Sequence, residues 1–130
     1  MKHYEVVAAV IEFENKILCM QRDKGKFDYV SYKFEFPGGK VEPNEREEDA
    51  LEREILEEFE ISIKTLNFIT NNIHVTPKKT IDLRLYKCSY ISGEFKLHDH
   101  YQYKWIKKEE LLKYDLAPAD IPLAKYILEN

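Results

Sequence analysis

Between Glu42 and Glu60 the chain gathers ten carboxylates (Glu42, Glu45, Glu47, Glu48, Asp49, Glu52, Glu54, Glu57, Glu58 and Glu60) and only two bases, Arg46 and Arg53. An apolar stripe runs through the same segment, with Ala50, Leu51, Ile55 and Phe59 recurring at the spacing of one helix face. The pattern predicts a helix over 44–59, with Asn44 as its cap and Glu47 completing a capping box. Its own charges oppose it. Glu54, Glu57 and Glu58 stand at i, i+3 and i+4, Glu48 faces Glu52, and Glu45 faces Asp49. Each like pair costs roughly 0.2–0.5 kcal/mol. Only Arg53, four residues before Glu57, offers a matched partner, since Arg46 faces Ala50.

One reading is a solvated acidic face. The other is a cation site, because clustered carboxylates beside a Gly38-Gly39 turn supply the oxygen ligands that magnesium takes at about 2 Å. The residue types alone lead to a magnesium or manganese site.

The remainder alternates. Residues 4–13 (YEVVAAVIEF) read as a buried strand, and 16–22 (KILCMQR) as the second arm of a hairpin. Residues 23–33 are polar, with Gly25 and several lysines, and read as a mobile surface loop; 34–36 form a short strand entering the Gly-rich turn. Strands are predicted at 61–75 and 80–91, on either side of a Pro77-Lys78-Lys79 turn, and at 103–106 around Trp105 after a Ser92-Gly93 turn. Residues 109–114 and 119–129 read as closing helices, the second with Pro122 in its first turn. The 130 residues are expected to form one mixed α/β domain.

Net charge is −4, but the acidic window carries −8, leaving +4 elsewhere. No basic stripe suits duplex nucleic acid, and no run approaches the roughly 20 apolar residues of a membrane span. The first residues lack the layout of a secretion signal. Cys19 and Cys88 sit in apolar segments without zinc-spaced partners, as expected of reduced thiols in a cytoplasmic protein.

Residues 39–61 resemble the Nudix box, G-x5-E-x7-R-E-U-x-E-E-x-G-U, with U aliphatic. Gly39, Glu45, Arg53, Glu54, Ile55, Glu57, Glu58 and Ile61 fill eight of the nine specified positions. Glu60 replaces the second glycine; if its backbone is left-handed, that costs roughly 1 kcal/mol without removing a ligand. Residues 34–40 (FEFPGGK) are similar to the WEFPGGK segment of MutT-type triphosphate pyrophosphohydrolases, with Phe34 for Trp. Residues 114–123 (YDLAPADIPL) are similar to the closing segment of the branch acting on CTP and modified deoxynucleotides. Residues 103–106 are similar to the family's late strand, which follows a loop bearing a further acidic ligand; Asp99, between His98 and His100, stands there.

The resemblance implies the α/β Nudix fold, a mixed β-sheet sandwiched between helices, with the box as loop–helix–loop. It implies Mg2+-dependent hydrolysis, with Mn2+ as substitute, of (deoxy)nucleoside triphosphates, oxidised or modified ones included, to monophosphate and pyrophosphate. Carried over by position, Glu57 and Glu58 would be direct metal ligands, joined by the Gly38 carbonyl and Asp99. Glu54 would be a further ligand or the base. Arg53 and Glu45 would hold each other and orient the site, with Gly39 and Glu45 structural. Arg22 is a candidate phosphate contact or simply a surface arginine, and Lys24 and Lys26 are weaker candidates of the same kind. Base choice would fall to Asp120 and the backbone around Phe34 and Phe36. An ionised Asp only accepts, which suits guanine N1–H with its amino group, or the cytosine amino group. The alternative is that Asp120 caps the last helix. His98 and His100 read as exposed loop histidines, and Trp105 as core.

Three alternatives stay open: a Nudix hydrolase for ADP-ribose or a dinucleoside polyphosphate, a non-catalytic nucleotide-sensing module, and an acidic helix that recruits a basic partner. The expected partner is a small-molecule nucleotide rather than nucleic acid or membrane, and the expected state is a monomer or homodimer.

Overall fold

The structure, a computed structural model, describes residues 2–25 and 31–130. Lys26 and the neighbouring tip of the polar loop lie outside the described residues. In chain order the elements are β1 (Lys2–Phe13), β2 (Lys16–Arg22), β3 (Phe34–Glu35), β4 (Gly38–Lys40), α1 (Glu47–Phe59), β5 (Ser62–Val75), β6 (Lys79–Ser92), β7 (His100–Lys107), a 3-10 helix (Lys108–Lys113) and α2 (Ile121–Glu129).

Residues 7–11 of β1 are all buried because helices cover the sheet on both faces, which explains the uninterrupted apolar run there. β1 pairs in parallel with β6, from Lys2↔Lys79 to Ile11↔Cys88. The other pairings are antiparallel: β5 on β6, β2 and β4 on β1, and β3 and β7 on β2. Side chains alternate across the sheet. Val7, Ala9 and Ile11 meet the α1 stripe of Ala50, Leu51, Ile55 and Phe59. Ala8 and Val10 meet Leu111, Leu116, Leu123 and Ala124 on the opposite face. The expected mixed sheet between helices is therefore observed.

Several boundaries differ from the sequence reading. Asn44 takes φ 65°, incompatible with an N-cap, and α1 starts at Glu47. Arg46, extended at ψ 146°, holds the cap position without a side-chain cap bond. Glu47 does not close a capping box, because its carboxylate is taken by Arg84 and by Tyr86 O–H, the latter at 2.6 Å. The first closing helix is 3-10, and the last begins at Ile121, with Pro122 in its first turn as expected. β7 begins at His100 rather than Tyr103, so His100 is a strand residue. Cys19 and Cys88 are free and buried, and burial pushes each thiol up to about 12, so neither is a thiolate nucleophile at neutral pH. Among the described residues, no helix is long and apolar enough to cross a membrane.

Candidate active site

The two glycines of the turn meet different neighbours. Gly38 lies opposite Ala8 on β1, and a Cβ there would fall 1.9 Å from the Val7 carbonyl oxygen. At Gly39 a Cβ would fall 2.3 Å from the Glu54 carboxyl. Gly38 lets β4 close on the central strand, and Gly39 lets the Glu54 side chain of α1 lie against the turn.

Arg53 organises the acidic helix. Its Nε donates to Glu45 Oε2 at 2.7 Å and its Nη2 to Glu45 Oε1 at 2.9 Å, the bidentate geometry that a guanidinium favours. Nη1 donates to Glu54 at 3.0 Å and to Glu57 at 3.3 Å, and Nη2 also reaches the Lys40 carbonyl at 3.1 Å. The Arg53 hydrogen bonds hold Glu45 well below the carboxylate range, at about 2. The mutual support of Arg53 and Glu45 is therefore observed, and it extends to Glu54, Glu57 and the Gly-rich turn. Arg46, by contrast, turns to Glu48 at 3.2 Å rather than over Ala50.

Glu54 and Glu58 are partly buried, while Glu57 is exposed. Glu58 has a buried oxygen, Oε2, with no hydrogen-bond partner among the described residues. Burial foremost, then a hydrogen bond with Asp99 and the charges of Asp99 and Glu54, push the Glu58 carboxyl above its usual range, with His100 opposing. The chain thus brings Asp99 from the β6–β7 loop to Glu58 on the helix. A partnerless buried carboxylate oxygen between two further acids is what a hard divalent cation satisfies, so these residues fit magnesium. Among the described residues no three acidic, imidazole or thiol groups converge into a closed cage as they stand. Arg53 occupies Glu54 and Glu57, and an ion would compete with it for both.

Arg22 is not a free surface arginine. Its Nε and Nη2 both reach Glu35 Oε1, at 2.8 and 2.7 Å. Nε2–H of His100 donates to Glu35 Oε2 at 2.8 Å. Burial works against ionising Glu35, but His100 and Arg22 outweigh it and hold the carboxyl below its usual range. Glu35 did not stand out in the sequence, and His100, read there as an exposed loop histidine, is instead a largely covered strand residue. The signal for Glu35 was alternation, since the side chain between buried Phe34 and Phe36 must face away from theirs. His98 is an exposed histidine as expected, paired with Glu60 at 2.7 Å. Lys24 is exposed.

Asp120 does not cap α2 with its side chain; its Oδ2 accepts the Phe36 N–H at 2.9 Å. Burial, followed by nearby Glu35, pushes its carboxyl up to about 8. The ionised acceptor expected from sequence is thus mostly a neutral acid at neutral pH, able to donate as well as accept. The rings of Phe34 and Phe36 are core residues, Phe34 packing edge-on against Tyr114, and the Phe34 N–H and carbonyl are bonded to the Asp115 carbonyl and the Ala117 N–H. Trp105 is partly buried against the α1-side core.

The NUDIX domain family model matches residues 1–127. The CTP pyrophosphohydrolase of Escherichia coli K12 is 40% identical over 123 residues, spanning 95% of this chain and 90% of that protein. An 8-oxo-dGTP diphosphatase of Buchnera aphidicola subsp. Schizaphis graminum is 34% identical over 119 residues, spanning 92% of this chain and 88% of that one. The solution structure of the E. coli ORF135 protein matches with a TM-score of 0.88 at 38% identity, over 99% of this chain and 91% of that chain. A box with eight of its nine specified residues, carried on a mixed sheet between helices and matched over nearly the whole length, leaves one assignment: the chain belongs to the Nudix family, as a hydrolase of phosphoanhydride bonds.

Proposed function

We propose that the chain is a magnesium-dependent pyrophosphohydrolase of nucleoside triphosphates, ribo or deoxy and modified bases included, that releases a nucleoside monophosphate and pyrophosphate. The observation that carries this reading is the buried Oε2 of Glu58, which has no hydrogen-bond partner among the described residues and lies close to Asp99 and Glu54, with Glu54 itself packed against Gly39. Glu57, Glu58, Asp99 and the Gly38 carbonyl would hold the ion, with Glu54 as a further ligand or the base. Magnesium, when bound, supplies positive charge at the phosphate oxygens and acidifies water. Manganese would serve the same ligands.

The chain's own residues do the rest. Arg53 spreads one charge over Glu45, Glu54 and Glu57, which keeps the carboxylates apart and aimed. Arg22, tied to Glu35 through Nε and Nη2, keeps Nη1 for a phosphate oxygen. A water oxygen bonds to the β-phosphorus and gives its proton to the carboxylate acting as base, while the bond from the β-phosphorus to the bridging oxygen breaks and that oxygen leaves on the nucleoside monophosphate. Asp120, as a neutral acid, offers a donor and an acceptor to the base beside the Phe34–Phe36 backbone. The similarity to a CTP pyrophosphohydrolase and an 8-oxo-dGTP diphosphatase makes pyrimidine and oxidised purine triphosphates the substrates to try first.

The test is incubation with magnesium and a panel of CTP, dCTP, 5-methyl-dCTP, dGTP, 8-oxo-dGTP and ADP-ribose, alongside Glu57→Gln, with product identification. Monophosphate plus pyrophosphate, abolished in the variant, is the expected result. A folded protein silent on all triphosphates but active on ADP-ribose would replace this reading.

A further inference from the structure

Arg22 and His100 face each other across β2 and β7, at a register irregularity between Gln21 and Arg22. Both side chains converge on one carboxylate, Glu35, from the neighbouring strand β3. The two bonds use different oxygens: Arg22 takes Oε1 and His100 takes Oε2. A carboxylate on a terminal strand residue rotates freely unless both oxygens are held. Arg22 alone would hold Glu35 by one oxygen, leaving the guanidinium free to swing with it. The His100 bond removes that rotation.

His100 is itself fixed. Its ring packs against Phe59 at the end of α1, with centroids 5.3 Å apart, and its side chain is only 13% exposed. Its second nitrogen, Nδ1, is buried without a hydrogen-bond partner, so the bond to Glu35 is the ring's one polar tie among the described residues. A buried imidazole with half its polar capacity unused is poorly explained by packing, because an apolar ring would cost less. It also follows Asp99 directly in sequence. One side chain therefore links the acidic helix, the Asp99 loop and the guanidinium on β2.

We propose that His100 is a positioning residue for the substrate phosphates: through Glu35 it locks the Arg22 guanidinium in the orientation that presents Nη1 to the polyphosphate. This rests on the reading of Arg22 as a phosphate contact. His100 touches no reacting atom. Its loss therefore weakens substrate capture and leaves the chemistry of bound substrate in place.

The test is a double-mutant cycle of His100→Leu and Arg22→Ala, with His100→Gln as rescue, by steady-state kinetics on the best triphosphate. His100→Leu is expected to raise KM about 5- to 10-fold with kcat within about twofold, and His100→Gln, which keeps an N–H donor, to restore most of it. On the Arg22→Ala background, His100→Leu should add less than about twofold, because its target is gone. Heteronuclear NMR of the Arg22 Nε–H supplies a readout apart from turnover: slow exchange in the parent and in His100→Gln, fast exchange in His100→Leu. An impaired Arg22→Ala with a silent His100→Leu overturns the proposal alone, as do fully additive effects. A silent Arg22→Ala removes the phosphate-contact reading and the proposal with it, while the NMR arm still reports whether His100 holds Arg22. If His100→Leu unfolds the chain, His100→Gln decides: loss of substrate affinity in that variant, with Nε–H still protected, overturns the proposal.

Discussion

Asp120 offers the sharpest quantitative test, because a buried acid leaves a signature in stability against pH. It is 4% exposed, and its carboxyl is raised from the usual 3.8 to about 8 by burial first and Glu35 second, against the opposing Phe36 N–H and Arg22. The raised value means that the folded state keeps a proton which the unfolded chain has already released. Stability from this group is thus fully present below about pH 4, is lost as pH rises, and levels off above about pH 8. The slope is about 1.4 kcal/mol per pH unit between those limits. From pH 5 to pH 8 the loss is roughly 4 kcal/mol, a large share of the 5–15 kcal/mol that a small domain has. Asp120→Asn removes the titration yet retains an oxygen to accept the Phe36 N–H. Urea unfolding of both proteins should show a gap that grows in favour of the variant by roughly 4 kcal/mol across that range. Any change in the Phe36 bond adds a constant and leaves the slope untouched. A gap that stays level within about 0.5 kcal/mol would refute the reasoning, since Asp120 would then be ionised in the fold throughout.

The two glycines of the turn should fail differently. Gly38→Ala drives a Cβ into the Val7 carbonyl and is expected to cost about 3 kcal/mol, seen as a fall in melting temperature. Gly39→Ala meets only the movable end of Glu54, so melting should shift little while kcat/KM falls about tenfold or more; equal melting shifts in the two variants would contradict this. Glu60 sits left-handed at φ 57°, and Glu60→Gly relieves about 1–2 kcal/mol of strain. Against that stand about 0.4–1 kcal/mol of added chain entropy and the loss of an exposed pair with His98, leaving a rise of about 0.5 kcal/mol; clear destabilisation in calorimetry would argue against it. Glu47→Ala strips Arg84 and Tyr86 of their shared acceptor and is expected to cost about 2 kcal/mol in denaturant unfolding, whereas a capping role alone would cost about 1.

Legibility in the sequence followed the range of the interactions. Spacing inside one helix was readable, which is why Arg53 was paired with Glu57 from the string; the Arg53–Glu45 pair came from the family resemblance, and the further bond from Arg53 to Glu54 was not anticipated. The left-handed exit at Glu60 was readable because its energetic cost is local. The start of the same helix was not. Asn44 and Glu47 satisfy a capping box on paper, but Arg84 and Tyr86, 37 and 39 residues away, take the Glu47 carboxylate. The Arg22–Glu35–His100 contact was equally hidden, since His100 lies 65 residues from Glu35 and reaches it only through the β2–β7 register. The protonation of Asp120 depends on burial by segments 84 residues apart, which no local pattern encodes.

The charge conflict of the acidic window is resolved acid by acid, and the pattern supports the proposed cation site over a merely solvated face. Glu45, Glu54 and Glu57 share Arg53, with Glu42 at its edge; Glu47 has Arg84, Glu48 has Arg46, and Glu60 has His98. Glu52 accepts the Thr65 N–H at 3.1 Å, and Asp49 is exposed to water. A merely solvated face would leave all ten in the position of Asp49. Here protein donors meet eight of them, and Glu58 keeps a buried oxygen, Oε2, with no donor among the described residues and a second acid, Asp99, beside it. Burying such an oxygen unpaired costs on the order of 1–3 kcal/mol or more, and a side-chain donor nearby would remove that cost. The acid left with a buried, unmet oxygen thus lies beside Asp99 and next to Glu54, the grouping that the proposed magnesium site requires.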